Sequence, residues 1–247
     1  MKIVRVRLKL ALAPLLCCLC GSAGATDLMQ TFEARYSLYR AGAKVAEMLR
    51  VFSRLDDGRY RYHSETWTTG LFSLFRKDHV VEQSDWRMQG SELRPLEYLY
   101  EHSGGKKDRN VAVTFDWDAQ RITNTVNGHS WRMPAEPRVM DKLLYQLAIM
   151  HDLKAGRSEL AYTVADGGKI KTYNFELLGE ETIETPLGEL ATVKVSRLRV
   201  DSKRETVFWC AEKLGFLPVR VENIETDGGK TTVIIDSVSG LTLTARP

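Results

Sequence analysis

Residues 141–153, DKLLYQLAIMHDL, decide how this chain is read. Met140, Leu143, Leu144, Leu147 and Met150 recur at the helical period and make one apolar stripe. Asp141 can supply a cap or first-turn carboxylate, and Gly156 stands where a helix is expected to stop. No other segment reads convincingly as a helix. Nearly everything else is short alternating runs broken by turn signals. The expected fold is therefore all-β and mainly antiparallel. It is a large curled sheet or barrel of about a dozen strands with one central amphipathic helix.

Outward from the helix, the strand pattern is regular. Upstream, runs are expected at 32–39, 44–55, 59–68, 77–86, 96–102, 106–116, 121–126 and 129–133. Asp56-Asp57-Gly58, Gly104-Gly105 and Asn127-Gly128 lie between them, and Asn-Gly is the strongest short hairpin signal in the chain. Tyr60, Tyr62 and Ser64 share one face of their strand; Arg59, Arg61, His63 and Glu65 share the other, wet face. Pro134 and Pro137 end the last upstream strand and lead into the helix. Downstream, runs are expected at 159–166, 169–178, 190–200, 205–211, 217–225 and 231–238. The parity of 190–200 slips between Val195 and Leu198, which predicts a bulge there. Consecutive short hairpins give an up-and-down meander, and a sheet of that length tends to curl or close because strand twist accumulates.

The first 25 residues have the layout of a secretory signal: Lys2, Arg5, Arg7 and Lys9, an apolar run over 10–19, then Ala23-Gly24-Ala25 as a cleavage site. The expected organisation is a signal peptide over 1–25 and a single β-rich periplasmic domain over 26–247. The apolar run is too short to span a bilayer, and no other stretch is long enough. Neither Cys18 nor Cys20 has the small residues before it that a lipidation signal requires. Four of the 35 basic residues, and none of the 32 acidic ones, lie in the leader. The remaining chain is close to neutral, which leaves no net-charge case for nucleic acid. Cys17, Cys18 and Cys20 leave with the leader, so Cys210 stands alone and cannot form an internal disulfide. Its strand, Thr206-Val207-Phe208-Trp209-Cys210, reads as core, and the thiol is expected to be buried.

The chain carries no catalytic motif that spacing alone can identify. The five histidines, His63, His79, His102, His129 and His151, have no metal spacing, and no metal or cofactor is expected. No serine sits in a nucleophile elbow, and Gly104-Gly105-Lys106-Lys107 lacks the strand–loop–helix setting of a phosphate loop. Asp116 and Asp118 flank Trp117, an acidic pair beside an indole that could serve glycan hydrolysis or simply end a strand. Gly70–Phe75, GLFSLF, breaks the alternation and crowds Leu71, Phe72, Leu74 and Phe75 together. It reads as a turn packed on the core or as an apolar flap at a cavity mouth.

Several segments in order then point to a family. They are Phe115-Asp116-Trp117-Asp118, Asp141-Lys142-Leu143-Leu144, Asp152-Leu153-Lys154-Ala155-Gly156, and Thr185-Pro186-Leu187-Gly188-Glu189 with Val193-Lys194-Val195. Phe208-Trp209 and Leu214-Gly215-Phe216-Leu217-Pro218-Val219-Arg220 complete the set. Together they resemble an uncharacterised family of exported bacterial proteins, domain of unknown function 3108. The resemblance spans nearly all of the chain after the leader and implies a β-rich periplasmic fold. It brings no catalytic residues, and Cys210 departs from it where an aliphatic residue is more usual. A looser likeness of architecture is to periplasmic lipoprotein carriers, in which an open barrel and helical lid hold acyl chains. The expected function is non-enzymatic binding of a hydrophobic or lipid-like ligand in a barrel cavity. The expected lining is Leu71, Phe72, Leu74, Phe75, Leu143, Leu147 and Met150. Alternatives are an envelope scaffold or assembly factor holding a protein or cell-wall partner, and a glycan hydrolase. Peripheral membrane contact fits the first two.

Overall fold

The computed structural model describes residues 30–199 and 204–241. The expected signal peptide lies outside the described residues. The first eight strands are β1 (Phe32–Arg40), β2 (Ala43–Arg54), β3 (Tyr60–Thr68), β4 (His79–Gln89), β5 (Glu92–Ser103), β6 (Arg109–Asp116), β7 (Arg121–Val126) and β8 (His129–Pro134). Helix α1 (Leu144–Lys154) follows. Then come β9 (Leu160–Asp166), β10 (Lys169–Thr185), β11 (Gly188–Arg199), β12 (Arg204–Ala211), β13 (Leu217–Ile224) and β14 (Lys230–Ser239).

All fourteen strands belong to one sheet, in the order β8-β7-β6-β5-β4-β3-β2-β1-β14-β13-β12-β11-β10-β9. Each neighbouring pair is antiparallel, and β1 and β14 pair from Glu33–Ser239 to Arg40–Thr231. The first and last described strands therefore meet in the middle of the sheet. The two free edges, β8 and β9, are consecutive in sequence, and α1 lies on the connection between them. The sheet is curled but not closed.

The connection partly covers the gap. Met140 makes a parallel bridge with Val164, its N–H donating to the Thr163 carbonyl at 2.8 Å and its carbonyl accepting from Ala165 at 2.8 Å. Farther along, the Trp131 indole N–H donates to the Gly168 carbonyl at 3.3 Å. A Cβ on Gly168, whose φ is +74°, would lie 2.2 Å from the indole ring. Glycine is required there for both conformation and space.

An antiparallel meander sends alternate turns to opposite ends. The turns β1–β2, β3–β4, β5–β6, β7–β8, β9–β10, β11–β12 and β13–β14 share one end, here the loop end. The connections into and out of α1 are at the other, the helix end. Near the helix end, the inner face is an aromatic core. Tyr60 and Trp86 stack with centroids 4.7 Å apart, Phe52 and Trp86 at 5.8 Å, and Phe32 closes on Phe52 at 6.0 Å. Tyr145 of α1 meets Tyr173 edge-on at 5.3 Å, and Phe175 joins Tyr162 and Phe208. Fully burying one such large apolar side chain stabilises by about 1.5–3 kcal/mol.

The helix caps as its sequence suggests. Asp141 Oδ1 accepts from the backbone N–H groups of Leu143 and Leu144, each at 2.8 Å, and Gly156 follows the last turn with φ +70°. Its burial is wider than one stripe: Leu144, Tyr145, Leu147, Ala148, Ile149, Met150, Asp152 and Leu153 are all buried. A helix inside a curl is covered on most sides, so it keeps little of a polar face. The parity slip expected in β11 is not a bulge there, since β11 pairs with β12 without interruption from Thr192 to Arg199. The irregularity lies in its other partner, between Leu177 and Gly179 of β10. Gly179 takes φ +105°, and the strand continues to Thr185 instead of ending near Leu178.

Candidate functional site

The segment Gly70–Phe75 is a short 3-10 helix (Gly70–Leu74) on the β3–β4 turn at the loop end. Its base is tied down: Thr69 N–H donates to Val45 at 3.0 Å and Thr68 N–H to Asp78 at 3.1 Å. The turn itself is closed by Ser73 Oγ donating to the Gly70 carbonyl at 2.7 Å. Its apolar side chains are not packed on the core. Leu71 is 77% exposed, Phe72 44%, Leu74 73% and Phe75 86%. Four large apolar side chains on one surface turn form a patch of the kind that marks an interaction site.

The inner face behind this turn is graded. Cross-strand pairing places Phe52, Tyr62, Ser84, Tyr98, Val113 and Asn124 in one inward row, and all are buried. The next row toward the loop end begins with Ala34, Arg50 and Ser64, which are buried, and continues with Glu82, Tyr100, Val111 and Val126, which are half-buried. Beyond it Met48, Thr66, Val80 and His102 are also half-buried. Along β2–β7 the inward face is covered up to about the level of Arg50 and less covered above it, toward the turn that carries Leu71–Phe75, whereas Tyr36, Ile235, Val233 and Val221 keep the facing wall buried at those levels. The result is a cup with a mixed aromatic and polar floor.

The floor holds most of the buried polar chemistry. Asp141 is fully buried; Ser84 Oγ donates to its Oδ2 at 2.6 Å. Burial raises the Asp141 carboxyl to about 6, although Ser84 and the two capping N–H groups favour the ionised form. Tyr98 donates to Glu82 Oε1 at 2.6 Å, and burial with the adjacent carboxylate holds that phenol firmly protonated. Arg50, 9% exposed, donates from Nη1 to the Tyr62 hydroxyl at 3.4 Å and lies 5.6 Å from the Tyr36 ring centroid. Its buried Nε has no partner.

The seven expected lining residues fall into two groups. Leu71, Phe72, Leu74 and Phe75 are exposed at the cup's rim. Leu143, Leu147 and Met150 are buried in the packing beneath its floor. Sequence reasoning passed over Arg50 and Glu82. Their signal was parity: Arg50 is in phase with Ala46, Met48 and Phe52, and Glu82 with Val80, Ser84 and Trp86. A charge in the apolar phase of a strand is the mark of a buried polar position.

At the helix end, a cavity of about 240 Å³ is lined by residues including His151, Asp152, Arg157, Tyr162 and Arg138. Asp152 spends both oxygens there: Oδ1 faces Arg157 Nη1 at 3.0 Å and His151 Nδ1 at 3.1 Å, and Oδ2 accepts from the Tyr162 hydroxyl at 3.1 Å. It works as a clamp between α1 and β9. Asp116 is likewise committed, accepting from Ala119 N–H at 2.9 Å and pairing with Arg121 at 3.0 Å, while Asp118 sits exposed on the same turn. Trp117 packs under Arg94 and donates to the Pro95 carbonyl at 2.7 Å. That arrangement ends a strand. His79 bonds to Glu65 at 2.7 Å and His102 to Asp78 at 2.9 Å. Among the described residues, no group of three or more His, Cys, Asp or Glu is placed to hold a metal. None of the described helices is long and apolar enough to cross a membrane. Cys210 is buried, and burial pushes its thiol up to about 12.

Among solved structures, the chain is similar to a β-barrel-like protein of domain of unknown function DUF1849 from Brucella abortus. The TM-score is 0.55 at 7% identity, over 85% of this chain and 97% of that one. A candidate lipoprotein from Parabacteroides distasonis matches at TM-score 0.34 and 12% identity, over 86% and 96% of the two chains. These likenesses concern the fold. No curated protein sequence matches the chain significantly. Residues 31–236 match the family described as "Protein of unknown function (DUF3108)", and with most of its length covered the chain belongs to that family.

Proposed function

We propose that the protein is a non-enzymatic component of the cell envelope that binds a hydrophobic, lipid-like ligand in the cup, with the β3–β4 turn as its apolar port. One observation carries this reading. Leu71, Phe72, Leu74 and Phe75 are held in water at the end where the inward face of β2–β7 is least covered. A turn of that composition is costly in water unless it meets an apolar partner. Arg76 and Lys77 follow it, both exposed, which suits contact with an anionic bilayer surface. The basic start, apolar run and Ala23-Gly24-Ala25 of the leader support export to the periplasm.

Native mass spectrometry with organic extraction on protein purified from the periplasm tests both parts. The expected result is an intact mass beginning near Thr26 and a co-purified lipid. An unchanged mass after incubation with fatty acids and phospholipids would overturn the ligand reading. A retained leader would overturn the address.

A further inference from the structure

Resting on that reading, we propose that Arg50 is the headgroup site of the cup, and that the ligand is an amphiphile whose head is a carboxylate or phosphate. Arg50 projects from the inward face of β2, with Ala34 and Ser64 as its cross-strand neighbours. It is nine-tenths buried. A guanidinium stays charged at any pH a protein survives. Among the described residues, no carboxylate comes within ion-pair distance of it. Asp141 is spent on Ser84 and the helix start, and Glu82 on the Tyr98 hydroxyl. Trp86 Nε1, Asn124 Nδ2 and Gln146 Oε1 are also buried without partners, but they are neutral.

Tyr62, the Tyr36 ring and the more distant Glu82 hold the buried guanidinium charged, but none of them gives it the direct carboxylate contact that most fully offsets the desolvation of a buried charge. The orientation of the guanidinium points to the kind of group it can hold. Nη1 is turned to Tyr62, which leaves the edge formed by Nε and Nη2. That edge presents two parallel N–H donors and matches the two oxygens of a carboxylate or phosphate. Ser64 is the cross-strand partner of Arg50 on the same face. Val111 and Val126 lie on Arg50's own row, and the inward positions nearer the loop end include Leu38, Met48 and Val80, all half-buried. An anionic head seated at Arg50 would run its chain past these residues to the rim at Leu71–Phe75. Glu82, on the same row, is the one facing carboxylate that would oppose such a head.

The test is the affinity of the full-length mature protein for laurate, dodecyl phosphate and methyl laurate. It is run on wild type, Arg50→Met, Arg50→Lys and Glu82→Gln. Wild type is expected to prefer at least one charged amphiphile over the uncharged ester by tenfold or more. Whichever of laurate and dodecyl phosphate binds tighter identifies the head. Arg50→Met should bind all three alike, Arg50→Lys should lose most of the preference because it keeps the charge without the fork, and Glu82→Gln should bind the anions more tightly. Arg50→Met removes an unpaired buried charge, so its apo melting temperature should equal or exceed that of wild type. Equal wild-type affinity for the ester and the anions, unchanged in Arg50→Met, overturns the headgroup site and leaves the carrier reading standing. No binding of any of the three overturns both.

Discussion

At the scale of single residues, the pH dependence of the fold turns on Asp141. Its carboxyl sits at about 6 in the folded protein against 3.8 ordinarily, so the folded state holds this proton more tightly than the unfolded state does. Its stabilising contribution is complete below 3.8 and fades as the pH rises through 6. Two units correspond to about 3 kcal/mol at 1.36 kcal/mol per unit. Asp141→Asn keeps an acceptor for the capping N–H groups and a donor for Ser84. Its unfolding midpoint should therefore be flatter between pH 4 and 7 and no lower than wild type at pH 7.5; a parallel pair of curves would refute this. Asp166 acts in the opposite direction. Burial pushes it up, but Lys171, Lys142 and the Tyr173 hydroxyl outweigh that and hold it below 3.8. Its contribution is present above that value and lost as acid is added, so stability should fall again at strongly acid pH. The raised thiol of Cys210 predicts slow alkylation by iodoacetamide at pH 8 in the native protein and prompt reaction in urea. The fate of Cys210 was legible because its neighbours in the strand, Phe208 and Trp209, already read as core. Arg50 was harder to see, since one charge in an apolar phase is noise until the cross-strand rows are known.

At the scale of elements, the two groups of expected lining residues make separable predictions. Leu147→Ala removes a side chain buried on the enclosed helix and should lower stability by about 2–5 kcal/mol, measured by urea unfolding. Leu74→Ser with Phe75→Ser should change stability by no more than about 0.5 kcal/mol per site. The same pair should abolish sedimentation with anionic phospholipid vesicles; vesicle binding that survives both changes would refute a role for the turn. The sequence-level signals worked best where structure is local. Asp56-Asp57-Gly58, Gly104-Gly105 and Asn127-Gly128 all lie at the turns where they were read. They worked less well where a strand's register depends on its neighbour. Gly179 looked like the end of a strand because a glycine inside a ladder and a glycine after one read alike. The helix showed a stripe in sequence, yet what surrounds it includes β5, more than forty residues upstream, whose position no local pattern announces.

At the scale of the whole molecule, the pairing of β1 with β14 was invisible in local pattern, because nothing in either run names its partner. It carries a strong prediction. A chain ending at residue 229 would leave β1 and β13 as facing, unpaired edges in the centre of the sheet, and should aggregate instead of folding, as judged by soluble yield and far-ultraviolet circular dichroism. The gap between β8 and β9 has a further consequence. Along the rest of the circumference, widening the curl would require breaking a continuous ladder of backbone hydrogen bonds. At the gap the ties are fewer: the two bonds of Met140, the bond from Trp131 to Gly168, the Asp152 clamp on Tyr162 and the Lys142–Asp166 ion pair. The molecule thus has an expansion joint there, while the rest of the wall is held by a continuous ladder.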